Sequence, residues 1–141
     1  MERLSLPDAF ARYGARATSQ SRALSAIAED GAVVLNCSLG HFGRPARGVL
    51  RYEDRLSREP GDSEGKGLLG EHLARARDES LPVRMVVRSE TEERNGRLSR
   101  NFHVRTDLVG KVTMFDGDHF IVDFTRRSPQ AALGRGKQSA R

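Results

Sequence analysis

The sequence holds a single cysteine, Cys37, and no apolar run approaching the length that crosses a membrane. One cysteine excludes an intrachain disulfide, cannot by itself build a metal cluster, and leaves the redox compartment unspecified. The N-terminus lacks the basic-then-apolar pattern of a signal peptide, so a cytoplasmic protein with no membrane association is the expectation. Acidic residues are missing from 126–141, where Arg126, Arg127, Arg135, Lys137 and Arg141 stand unopposed. The formal charge of +5 belongs to that segment, because the 19 basic residues of 1–125 meet 19 acidic ones. The high isoelectric point therefore speaks for an electrostatically sticky tail more than for a basic domain. Lysine is scarce too, at three residues against 21 arginines. Arginine suits bidentate phosphate contacts, but a composition-wide bias produces the same ratio.

What is present is enough for one domain with a genuine core: 141 residues, of which 37% are apolar and 30% charged. The expected organisation is a single α+β domain over 1–125 followed by a basic, flexible tail over 126–141. Ser5 and Pro7 open a predicted helix, and Leu24, Ile27 and Ala28 resume helical spacing before Asp30-Gly31, giving one interrupted helix or two short ones. Val33, Val34 and Leu35 centre a strand over 32–39, and a second strand starts at Val49. The glycine-rich stretch Gly40–Gly48 between them reads as a loop, with the two strands as potential neighbours. Residues 57–67 read as a surface connection. Its Gly61–Gly67 spelling lacks the hydroxyl after the lysine, the full spacing and the preceding strand of a phosphate loop. Leu68, Leu69, His72, Leu73 and Ala76 form a helical stripe.

The second half alternates more cleanly. Val83, Met85 and Val87 mark one face of a strand, Asn95-Gly96 marks a hairpin, and Phe120, Val122 and Phe124 form another inward stripe after the Asp116-Gly117 turn. The segment Leu108–Asp116, with Phe120-Ile121-Val122, is similar to the curved-strand segment of Sm-like RNA-binding barrels. The similarity covers those residues alone and implies a bent sheet, with no residue roles carried over. The predicted architecture is N-terminal and middle helices packed on a curved, mainly antiparallel sheet of five or six strands, whose curvature extends in one version to a partial β-barrel.

Candidate chemistry gathers in two places. His41 with Arg44 and Arg47 combines an imidazole able to move protons near neutral pH with guanidinium groups that bind phosphate, while Phe42 offers a ring for base stacking. His103 and Arg105 share the polar parity of their strand, and Lys111 follows across the next turn. Nucleic-acid binding through these seven residues is the first functional expectation, for DNA or RNA alike. A small phosphoesterase or nuclease using His41 or His103 as acid or base is the second. A protein-interaction module is the third, using the basic tail on an acidic partner or a sheet edge, including pairing into a homodimer. No cofactor is expected, and no metal site: His119 and Asp123 have strand spacing, but no short cluster specifies three ligands. The acidic pairs Glu53-Asp54, Glu92-Glu93 and Asp116/Asp118 carry no specific motif, and a Cys37/His41 nucleophilic pair lacks a supporting one.

Overall fold

Both glycine turns reverse the chain where hairpins are expected. Gly96 has φ +81° and Gly117 φ +107°, backbone that glycine adopts without a Cβ penalty. They join β5 (Val83–Glu92) to β6 (Leu98–Val104) and β7 (Leu108–Phe115) to β8 (His119–Arg126). These elements belong to a computed structural model that describes residues 4–16, 23–59 and 63–127. The remaining strands are β1 (Ser25–Ile27), β2 (Val33–Ser38), β3 (Phe42–Ala46) and β4 (Val49–Arg55). All eight join one sheet in the order β1-β2-β5-β7-β8-β4-β3, with β6 also on β5. The pairing is antiparallel except between β2 and β5.

Alternation along the strands produces two cores. On one face Val33 and Leu35 of β2, Val83, Met85 and Val87 of β5, Tyr52 of β4, and Phe120, Val122 and Phe124 of β8 pack with Leu69, Leu73 and Ala76 of α2 (Ser63–Glu79). On the other, Val34, Val86 and Phe102 pack with Leu6, Ala9 and Phe10 of α1 (Leu6–Ala11). Ser5 caps α1, its side chain accepting from the Asp8 N–H at 3.2 Å. The register of β7 on β8 shifts between Val112 and Met114, an irregularity of the β-bulge kind.

Several expectations are corrected. Ser25–Ile27 is a strand, not helix, because the Asp30-Gly31 turn folds it back on β2 and the ladder outweighs three residues of helical spacing. The Gly40–Gly48 loop is instead a 3-10 turn at Leu39–His41 followed by β3, which makes a hairpin with β4. β2 and β4 are therefore not neighbours. The surface connection ends early, since α2 already begins at Ser63. The sheet has eight strands rather than five or six, includes a parallel pair and is not closed. β8 continues through Arg126, and the Arg127 N–H donates to the Asp107 carbonyl at 2.8 Å, so the last strand overlaps the start of the expected tail. The rest of that tail, 128–141, lies outside the described residues.

Candidate functional site

Where β3 ends its pairing, the edge of β4 is left open. β3 matches β4 from Ala46↔Val49 to Phe42↔Tyr52, so Glu53, Asp54 and Arg55 have β8 on one side and no strand on the other. The 3-10 turn carrying His41 crosses this gap. A cleft of about 500 Å³ results, lined by His41, Phe42, Arg51, Glu53, Asp54, Arg55, Arg58 and His119 together with Gly40 and Gly43. Strand alternation decides which groups meet there. Tyr52 and Asp54 point to the core side, whereas Arg51, Glu53 and Arg55 share the outer face with His119 and Asp123.

Asp54 is a carboxylate at a core-facing position, and it binds His41: Nδ1 lies 2.9 Å from Asp54 Oδ2, with the imidazole side chain 39% exposed and the carboxylate 1%. Burial pushes the Asp54 carboxyl up, but hydrogen bonds from Glu59, the Arg55 N–H at 2.8 Å and His41 outweigh it and hold it below its ordinary value. Beneath it, burial first and the neighbouring Asp54 second push the Glu59 carboxyl up to about 8. Glu59 thus stays protonated at neutral pH, the usual resolution when two carboxyls share a buried site. The Tyr52 hydroxyl accepts from the Ser38 N–H at 2.9 Å and donates to Glu59 Oε2 at 3.2 Å. Glu59 Oε1 makes no hydrogen bond, and the Arg88 guanidinium stands 3.7 Å from it.

A second imidazole enters from β8. His119 Nε2 lies 2.6 Å from Glu53 Oε2. Arg51 is held in two bonds to Asp123, at 2.8 and 3.0 Å, and Arg55 more loosely to Asp118 at 3.3 Å. Arg58 is exposed and makes no ion pair among the described residues. The cleft therefore offers two imidazoles, each tied to a carboxylate through one ring nitrogen, beside the exposed Arg58 guanidinium. No group of three or more His, Cys, Asp or Glu side chains placed to hold a metal is found among the described residues.

The seven residues singled out in the sequence are dispersed. His41 and Phe42 line this cleft, but the Phe42 ring packs 4.9 Å from that of Tyr52, at the margin of the core. Arg44 and Arg105 meet in a second groove with Arg126, floored by Leu50, Leu108 and Phe124. Arg105 is engaged there by Asp107 at 2.9 and 3.0 Å, whereas Arg44 and Arg126 make no ion pair among the described residues. Arg47 is exposed at the β3–β4 turn. Lys111 lies on the outer face opposite Asp123. His103, half-buried opposite Val87 and held below its usual value by desolvation, lines neither groove. Of the other residues lining the cleft, Glu53, Asp54 and His119 were weighed in the sequence only as an acidic pair and a metal ligand, and Arg58 was not singled out. Asp54 carried a signal, since it shares the parity of Leu50 and Tyr52 and so places an acid on an apolar face. Comparison with protein-family models, curated proteins and solved structures finds no match for this chain.

Proposed function

We propose that the protein binds single-stranded nucleic acid along the β3 edge, with phosphates held by arginines at both ends of the β3–β4 hairpin. The observation behind this reading is their placement. Arg44 and Arg126 stand in one groove, Arg47 at the turn and Arg58 in the His41 cleft, all without ion pairs among the described residues. The other arginines of these two grooves are already neutralised: Arg51 by Asp123, Arg55 by Asp118 and Arg105 by Asp107. β3 is an edge strand with every residue after Phe42 exposed, and at about 3.3 Å per residue it is long enough to follow a few nucleotides. Pro45 removes a backbone donor from this edge, which discourages pairing with another strand and leaves side chains to make the contacts. Backbone phosphates give affinity without sequence readout, so little sequence preference follows.

The test is fluorescence anisotropy of a labelled single strand across a salt series. Each of Arg44→Ala, Arg58→Ala and Arg126→Ala is expected to weaken binding and to reduce the log–log salt slope by about 0.7. Absence of binding at low salt, or affinity unchanged in all three variants, would remove this reading.

A further inference from the structure

Two features of the cleft exceed what phosphate binding needs. The first is Asp54. Burying a carboxylate costs several kcal/mol unless it is well paired, and here, besides Glu59 and the Arg55 N–H, it bonds an imidazole left 39% exposed at a cleft wall. A histidine that served packing alone would be covered on both sides, as His72 is, whose Nδ1 sits 2.7 Å from the buried Ser25 hydroxyl. The second is the complementary tethering of the two imidazoles. Asp54 occupies Nδ1 of His41, leaving Nε2; Glu53 occupies Nε2 of His119, leaving Nδ1. Two rings lining one cleft each keep a single nitrogen for proton transfer, beside Arg58, which makes no ion pair among the described residues.

We propose that this cleft cleaves RNA by internal transesterification, with His41 as base and His119 as acid. The inference rests on the single-strand reading above, which brings the sugar–phosphate chain to the end of β3. RNA supplies its own nucleophile, a 2′-hydroxyl already next to the phosphorus, so the protein has only to move two protons and stabilise charge. His41 Nε2 takes the 2′-hydroxyl proton, and the imidazolium formed is stabilised by Asp54. The 2′-oxygen bonds to phosphorus as the bond from phosphorus to the 5′-oxygen breaks. Protonated His119 gives its Nδ1 proton to that departing oxygen. The products are a 2′,3′-cyclic phosphate and a 5′-hydroxyl, and one proton has been taken up and one released. Arg58 faces the charge on the non-bridging oxygens, with Arg55 able to join it by leaving Asp118. Asp54 and Glu53 are positioning residues, since they act through the histidines.

The experiment incubates the purified full chain with a labelled mixed-sequence RNA in excess chelator, beside the same sequence in 2′-O-methyl form. Expected are cleavage of the RNA to cyclic-phosphate ends, an intact 2′-O-methyl strand that still binds, and a bell-shaped pH–rate profile. His41→Gln and His119→Gln, purified identically and with unchanged unfolding midpoints, should each lose about 100-fold or more in rate. Asp54→Asn should lower kcat with KM nearly kept, and Arg58→Ala should lower both kcat and affinity. RNA left intact while the 2′-O-methyl strand binds overturns the inference and leaves the binding reading standing. Cleavage undiminished in both histidine variants also overturns it. Failure of both strands to bind, with the RNA left intact, removes both proposals.

Discussion

Among single residues, Glu59 makes the clearest prediction. Its carboxyl ionises near 8 in the folded chain against an ordinary 4.5, because it is buried and lies against Asp54. A raised folded-state value means that the native chain holds a proton the unfolded chain has released. The contribution of Glu59 is therefore complete below about 4.5 and lost as pH rises through about 8. Asp54 has the opposite sign: its value is lowered from 3.8, so its contribution is present above that point and is lost on acidification below it. Between about pH 5 and 8 the Glu59 effect governs this cluster. The thermal midpoint should fall across that range, and Glu59→Gln, which keeps the shape and a donor toward Asp54, should flatten the fall and raise the midpoint at the alkaline end. A variant as pH-sensitive as the parent would refute the assignment. Cys37 is the contrasting case. It is fully buried, burial pushes its thiol well above the ordinary range, and its Sγ faces the Leu35 carbonyl at 3.8 Å, so it has no thiolate to offer His41.

At the scale of elements, the β7–β8 hairpin depends on an absent side chain. A Cβ on Gly110 would lie 2.6 Å from Phe124 Cδ1 and 3.0 Å from the Asp123 carbonyl oxygen. The Phe124 ring is wholly buried in the α2-side core, so making room for a Cβ disturbs that packing. Gly110→Ala is expected to destabilise by about 1–3 kcal/mol in denaturant unfolding. Gly67, an exposed position in the first half of α2, supplies the opposite control, because a Cβ there would meet nothing within 4 Å. At that position alanine should stabilise by about 1 kcal/mol through helix propensity. If the two substitutions shift stability alike, the close packing of β7 on Phe124 is not what holds this hairpin. The register of β8 on β4 also places His119 opposite Arg55, on the outer face of the sheet with Glu53.

For the whole molecule, charge distribution matters more than net charge. Residues 1–125 are formally neutral, whereas 128–141 contain Arg135, Lys137 and Arg141 and no acid. A chain ending at Arg127 should unfold at the same midpoint, since it keeps both described cores and all eight strands. It should bind single strands with a shallower salt dependence, by about 0.7 for each phosphate that the terminal charges had neutralised. An unchanged slope would show that the terminal charges take no part in binding and that the hairpin arginines act alone. A lower midpoint would instead tie 128–141 to the stability of the domain.

How much of this was legible in the sequence follows the range of the interactions. The hairpins at Asn95-Gly96 and Asp116-Gly117, the inward stripes of β5 and β8, the middle helix and the mixed α+β class are set by nearest neighbours and by period, so the sequence by itself determined them. The neutrality of 1–125 was equally plain. Ser25–Ile27 carries too little periodicity in three residues to outweigh pairing with β2, and the strand β3 is hidden by its glycine and Pro45. The candidate site was decided only by tertiary structure. His41, Asp54 and His119 come from a 3-10 turn and two paired strands and line one cleft because β3 stops pairing at Tyr52 while β8 continues to Arg55, with Glu59, at the end of a second 3-10 turn, buried against Asp54. Spacing along a chain records which face a residue takes. It does not record which strand lies beside it, and that choice separated Arg44 and Arg105 from His41 and put His119 in the cleft instead.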